Sequence, residues 1–94
     1  MPWQPTLLED SFDPWLALEA DPQRRQAVID FLIDLCGSEG HVDGARPVPG
    51  TQLPAFAALV PGHDVVVVWV IAAAYRQLAI RYLYDVRGEQ FFGG

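Results

Sequence analysis

The side chains best suited to chemistry lie in the C-terminal half of the chain. His63 carries an imidazole ring, which accepts or donates a proton near neutral pH. Arg81 and Arg87 carry guanidinium groups, which present a fork of donors to phosphate oxygens. Tyr82 and Tyr84 can stack on bases. These residue types suit proton transfer beside a bound phosphate.

Each of these residues also has a structural interpretation. His63 can be an ordinary residue of a surface turn. The two arginines can be solvated on an exposed sheet face or paired with a carboxylate, which contributes little to stability at a surface. The nearby carboxylates are Asp64, Asp85 and Glu89. The sequence alone leaves both interpretations open.

Composition limits the classes of partner and cofactor. The chain has twelve acidic and six basic residues, and its formal net charge of -6 repels a polyanion unless the arginines gather on one face. A single cysteine, Cys36, excludes an internal disulfide and is predicted to be a buried small hydrophobic residue. With two histidines, no zinc-type ligand cluster is expected. No metal or other cofactor is predicted.

The sequence also bears on the location of the protein and the size of its core. The first residues lack the basic and apolar regions of a signal peptide. The longest apolar run, residues 65–74, is half of the roughly twenty residues that a membrane-spanning helix needs. A chain of 94 residues suits one hydrophobic core. We therefore expect a cytoplasmic protein without membrane association, folded as a single domain over residues 1–94.

The N-terminal half predicts a strand followed by a helical hairpin. Residues 3–9 are expected to form the strand and residues 13–37 the hairpin, with a second start signal at Asp21. Trp15 is expected to pack between the helices, whereas Arg24 and Arg25 are expected on a solvated helical face or against a partner. The second helix has apolar residues at the spacing of one helical face, namely Val28, Phe31, Leu32 and Leu35.

The C-terminal half predicts antiparallel strands over residues 45–85 and a flexible tail over residues 86–94. The valine-rich run 65–71, with Trp69 in the core, suits a central strand. In the following strand Tyr82 and Tyr84 share the two-residue phase of Leu78 and Ile80, which predicts core packing for at least one tyrosine. The predicted fold is α+β, a two-helix hairpin packed on a three- to five-stranded, mainly antiparallel sheet.

This order of elements resembles the RelE/ParE superfamily of bacterial toxins from toxin-antitoxin pairs. The resemblance covers nearly the whole chain: the helix at 22–36, the glycine-containing loop at 37–44, and strands at 55–62, 65–71 and 77–85. Family members commonly have basic residues on the central strands, whereas this chain has Val60 and Asp64 at two such places.

The resemblance implies a toxin, and some members of the superfamily are ribosome-dependent endoribonucleases that cut mRNA by general acid/base chemistry. It implies catalytic roles for His63, Arg81, Tyr84 and Arg87, and substrate binding by Arg46. It also implies a cognate antitoxin as partner, and the ribosome or mRNA as target. The alternative is a non-catalytic protein-protein interaction module of the same fold, which binds another protein partner or forms a homodimer.

Overall fold

The computed structural model describes residues 3–93 and contains six strands. The valine-rich run forms the second longest of these strands. Between the last two long strands, Ala73–Tyr75 forms one turn of 3-10 helix. The elements are β1 (Gln4–Thr6), α1 (Phe12–Leu18), α2 (Pro22–Gly37), β2 (Arg46–Pro47), β3 (Ala55–Leu59), β4 (Val65–Ala72), β5 (Gln77–Asp85) and β6 (Gln90–Gly93).

The six strands form one mixed sheet in the order β1-β5-β4-β3-β2, and β6 also pairs with β5. β1 runs parallel to the first part of β5, and every other pairing is antiparallel. The predicted α+β class, with two helices and a sheet, is confirmed. The strand count is larger than the predicted three to five, because the C-terminal residues join the sheet.

The predicted flexible tail over residues 86–94 is therefore wrong for its described part. Residues 86–89 form a turn, and β6 then pairs antiparallel with the end of β5. Phe92 is buried in the hydrophobic core, and this burial offsets the entropic cost of ordering the strand. The predicted first strand is also shorter than expected, because only Gln4–Thr6 of residues 3–9 is extended in the sheet.

The two helices cover one face of the sheet. Along β4, alternate residues from Val65 to Ile71 are buried, whereas the residues between them are half-buried. Phe31 of α2 contacts Trp69 at a ring-centroid distance of 6.2 Å. The Trp69 indole also donates a hydrogen bond to the Gly40 carbonyl at 3.1 Å. Trp69 thus belongs to the core, as predicted, and fixes the chain after α2.

Local signals explain where α2 begins and ends. The Asp21 side chain accepts a hydrogen bond from the Gln23 backbone N–H at 2.9 Å and caps the first turn. Gly37 is the last residue of α2, so the helix is one residue longer than the 22–36 implied by the resemblance. The left-handed residues that end the helix are Glu39 and Gly40, and the Gly40 N–H bonds back to the Leu35 carbonyl at 2.8 Å.

A β-bulge at Arg81 determines which residues of β5 face the helices. Val68 pairs with Tyr82 and Trp69 with Ile80, so Arg81 is one extra residue opposite β4. After the bulge, the alternation of residues between the two faces of the sheet is reversed, and Tyr82 faces away from the helices. The expectation that a tyrosine shares the core phase of Ile80 is therefore wrong.

In residues 3–93, no helix combines the length and hydropathy that crossing a membrane requires.

Candidate functional site

The sheet face opposite the helices, called here the open face, carries two rows of residues across the strands. One row pairs Leu59, Val66, Tyr84 and Phe91. The other pairs Arg46, Ala57, Val68 and Tyr82. Residues paired directly across strands share a face, and the rows lie two residues apart, about 7 Å along the strand.

Aromatic side chains occupy the β5 and β6 side of the open face. The Tyr84 and Phe91 rings pack with centroids 4.4 Å apart. Phe91 is 69% exposed, so this ring pair is accessible to a ligand. The Arg81 guanidinium lies over the Tyr82 ring at 5.7 Å from its centroid, a cation–π contact. The bulge thus places an arginine and a tyrosine side by side.

The five residues predicted for a site fall into two groups. Arg46 and Arg81 accompany the row that contains Tyr82. His63 lies in the turn between β3 and β4, and Arg87 lies in the turn between β5 and β6. These turns are neighbours at one end of the sheet, beside the row of Tyr84. The structure therefore brings Tyr84, His63 and Arg87 to one end of the sheet.

The arginines on the sheet remain available to a ligand. In the part of the chain that the structure describes, Arg46, Arg81 and Arg87 form no salt bridge, and all three are exposed. The proposed pairing of the arginines with neighbouring carboxylates is therefore not observed. Near Arg46, a shallow depression of about 260 Å³ reaches Leu59 and Val66. This arrangement suits phosphate binding beside stacking rings, with the His63 imidazole in the turn at the end of the same sheet.

A buried ion cluster, which the sequence did not reveal, supports this end of the sheet. The Arg24 cluster consists of Arg24, Glu19, Asp85 and Trp15. Arg24 is 1% exposed, which corrects the expectation of a solvated or partner-binding residue. Its Nη1 and Nη2 donate to the two carboxylate oxygens of Asp85 at 2.8 and 3.0 Å, and Nη1 also donates to Glu19 at 2.9 Å. The Trp15 indole donates to Asp85 at 3.2 Å.

The same cluster connects the two turns that carry His63 and Arg87. Arg24 Nη2 donates to the Asp64 carbonyl at 3.1 Å, next to His63. Asp85 accepts a hydrogen bond from the Gly88 N–H at 3.2 Å, next to Arg87. The Val86 N–H donates to the Asp64 carbonyl at 2.9 Å and joins the turns directly. The Arg24 cluster thus acts as a positioning element for this end of the open face.

The charges of the cluster stabilise each other. The hydrogen bonds from Arg24 outweigh the desolvation of Asp85 and lower the pKa of that carboxyl to about 2. The hydrogen bond to Asp85 likewise raises the pKa of Arg24. Away from this cluster, burial raises the pKa of the Cys36 thiol, so less of it is in the nucleophilic thiolate form.

The lowered pKa of Asp85 predicts a loss of stability in acid. Because the folded-state pKa lies below the ordinary value of 3.8, the contribution is complete above about pH 4 and is lost as the pH falls toward 2. One unit of pKa corresponds to about 1.4 kcal/mol, so the loss amounts to about 2 kcal/mol. Asp85→Asn provides the comparison in chemical denaturation. The difference in unfolding free energy between wild type and variant should shrink by this amount, and a constant difference would contradict the assignment.

In residues 3–93, no group of three or more metal-ligating side chains is close enough to hold a metal ion. Comparison with protein-family models, curated proteins and solved structures finds no match to this chain.

Proposed function

We propose that this chain is a RelE/ParE-like toxin of a toxin-antitoxin pair that binds single-stranded mRNA on its open face. The observation that carries the proposal is the separation of charge between the two layers. Eight of the twelve acidic residues lie before Gly40, whereas the strands and turns after it carry equal numbers of basic and acidic residues. The basic ones are Arg46, Arg76, Arg81 and Arg87, and the acidic ones are Asp43, Asp64, Asp85 and Glu89. Arg24 and Arg25 belong to α2, where other groups of the protein bind them.

The net charge of -6 repels RNA, but with this distribution of charge the repulsion is weaker at the sheet than at the helices. A polyanion responds to the local charge as well as to the net charge. At the described open-face positions of the strands no side chain is acidic, and Asp85, at the end of β5, points toward Arg24 instead. An RNA strand along the strands of the open face would meet guanidinium groups, and the nearest exposed carboxylates, Asp64 and Glu89, lie in the turns at the end of the sheet.

The aromatic side chains supply the second part of RNA recognition. Single-stranded RNA exposes base faces, which stack on aromatic rings with little dependence on sequence. Tyr82 and the Tyr84–Phe91 pair provide two such platforms in adjacent rows. The rows are about 7 Å apart, a spacing that suits successive extended nucleotides.

Binding can be measured by fluorescence anisotropy of a labelled oligouridylate of about twelve nucleotides. Tyr82→Ala is expected to weaken binding about tenfold or more, because the loss of one base stack costs about 1 to 3 kcal/mol. Arg81→Gln should weaken binding and also reduce its salt dependence. Tyr75→Ala is the matched control, since Tyr75 is 76% exposed in the turn at the other end of β5. Equal effects of the two tyrosine variants, or no binding, would reject the proposal.

Expression in bacteria tests the toxin part of the proposal. The wild-type chain is expected to arrest growth, and Tyr82→Ala is expected to relieve the arrest. If the chain also cleaves RNA, His63→Ala should relieve the arrest without changing the anisotropy measurement. Normal growth on expression of the soluble wild type would contradict a toxin.

A second candidate is a protein-protein interaction module that uses the same face. It is favoured by the uncharged row of valines along β4 and by Leu59, which is 54% exposed. This candidate predicts that Leu59→Ser weakens capture of a protein partner, while the oligouridylate does not bind.

A further inference from the structure

Ser11 links the start of α1 to the middle of β5. It occupies the N-cap position of α1, where a serine hydroxyl ordinarily accepts a hydrogen bond from a backbone N–H of the first turn. With the described residues it makes no such bond. Its Oγ instead donates to the Ile80 carbonyl at 2.7 Å, 69 residues away in the chain. Ser11 is 0% exposed, so this bond lies in the interior.

The single proton of the Ser11 hydroxyl has two carbonyl neighbours. The Leu7 carbonyl lies 3.0 Å from Oγ and already accepts the Asp10 N–H at 3.2 Å. The Ile80 carbonyl is nearer, at the usual length of an O–H···O hydrogen bond. The bond to Ile80 is therefore the stronger of the two contacts.

Ile80 lies at a gap in the strand pairing along one side of β5. Among residues 3–93, β1 pairs with β5 only as far as Ala79, and the pairing of β6 with β5 begins at Tyr82. Ile80 and Arg81 thus have no strand partner on that side. The Ser11 hydroxyl supplies a partner to the Ile80 carbonyl there. Loss of this partner would be unfavourable, because Ile80 is completely buried.

The gap coincides with the β-bulge at Arg81. Ser11 holds the carbonyl of the residue just before the bulge. At Arg81 itself, Gly93 of β6 approaches so closely that a Cβ on it would overlap the Arg81 carbonyl oxygen. The backbone of the bulge is therefore held at two successive residues, by a side chain from the helical layer and by the end of β6.

We propose that Ser11 is a positioning residue for the Arg81–Tyr82 pair of the open face. Its hydrogen bond fixes the bulge, and the bulge places the Arg81 guanidinium over the Tyr82 ring. The consequence for RNA rests on the function proposed above. A phosphate at Arg81 and a base stacked on Tyr82 can be bound together only while the two side chains keep this arrangement, which the buried Ser11 supports from beneath.

Nuclear Overhauser effects in the free chain test the positioning without RNA. The wild type should show these effects between the Arg81 side chain and the Tyr82 ring protons, and Ser11→Ala should lose most of their intensity. Asp21→Ala is the matched control, because it removes the side-chain cap of α2 and destabilises the protein at a different helix. It should leave the effects as they are in the wild type.

A second variant, Ser11→Cys, keeps a side chain of similar shape but replaces the hydroxyl by the weaker S–H donor. It should reduce the same nuclear Overhauser effects, by less than Ser11→Ala does. Thermal unfolding shows whether each variant is folded. Ser11→Cys decides the question if Ser11→Ala does not fold.

Binding of the labelled oligouridylate tests the consequence for RNA. Ser11→Ala is expected to weaken binding several-fold, although its side chain does not reach the open face, whereas Asp21→Ala should bind as the wild type does. In the Tyr82→Ala chain, Ser11→Ala should have a clearly smaller effect than in the wild type, because the ring that it positions is absent.

Four results would overturn the proposal. They are absence of the Arg81–Tyr82 effects in the wild type, their persistence in the folded Ser11 variants, an equal loss in Asp21→Ala, and oligouridylate binding by the wild type that Ser11→Ala leaves unchanged. If the wild type does not bind the oligouridylate, the RNA-binding function is rejected instead. The nuclear Overhauser effects then still decide whether Ser11 positions the Arg81–Tyr82 pair.

Discussion

Arg24→Met is expected to lower the free energy of unfolding by about 3 to 5 kcal/mol, because it leaves the Asp85 carboxylate largely buried without its charged partner. The Asp85 side chain is 14% exposed and accepts two hydrogen bonds from Arg24. Removing Arg24 also removes one of the two hydrogen bonds to the Asp64 carbonyl, in the turn beside His63, and leaves the one from the Val86 N–H. Urea denaturation followed by tryptophan fluorescence would measure the loss.

Arg87→Met is the matched control, because Arg87 is exposed and forms no salt bridge with the described residues. Its effect should stay within about 0.5 kcal/mol. The double variant Arg24→Met with Asp85→Leu should recover part of the loss, since the Asp85 charge is removed with its partner and only Glu19 is left without its ion pair. A loss for Arg24→Met no larger than that for Arg87→Met would show that the cluster does not hold the fold.

Gly93→Ala is expected to lower the unfolding free energy by about 2 kcal/mol and to loosen β6. Gly93 has a φ of 116°, which side-chain-bearing residues rarely adopt, and a Cβ there would overlap the Arg81 carbonyl oxygen. The strand would have to move away from β5, and Phe92 would leave the core. Hydrogen exchange of the β6 amides would detect this loosening directly.

Gly88→Ala serves as the control in the preceding turn. A Cβ at Gly88 would meet its nearest atom, the Asp85 carboxyl carbon, at 3.9 Å, which is an ordinary contact. Its effect should stay within about 0.5 kcal/mol, with β6 amides protected as in the wild type. Equal exchange in the two variants would mean that the close approach of β6 to the bulge is unimportant.

The elements with strong periodicity were predictable from sequence. The i, i+3, i+4, i+7 spacing of Val28, Phe31, Leu32 and Leu35 identifies α2, and all four residues are buried. The run of β-branched residues in β4 likewise identifies the central strand. Both signals depend on local patterns of ten or so residues, which tertiary contacts did not override.

The faces of β5 were not predictable, because a bulge leaves no mark in the alternation of residue types. Strict alternation groups Tyr82 with Ile80, but the extra residue at Arg81 moves Tyr82 to the open face. The same shift brings Asp85 to the helical side, where it meets Arg24. Because of this one bulge, the alternation of residue types in the sequence predicted neither the aromatic side chains on the open face nor the buried ion cluster.

The role of Arg24 depends on a partner that is distant in the sequence. An arginine near a helix start is unfavourable with respect to the helix dipole, and a solvated side chain is the simplest interpretation of the sequence. Its carboxylate partner Asp85 is 61 residues away in the chain. The unfavourable position of Arg24 in the helix dipole was the signal in the sequence that a nearby negative charge compensates its positive charge.

The proposal that the open face binds RNA is tested most directly by mapping the contact on the protein. Amide chemical shifts of the ¹⁵N-labelled chain would be recorded during titration with the oligouridylate. We predict shifts at Val66, Val68, Tyr82 and Tyr84, with little change along α2. Shifts confined to α2, or no shifts at a concentration that saturates the anisotropy signal, would contradict the proposal.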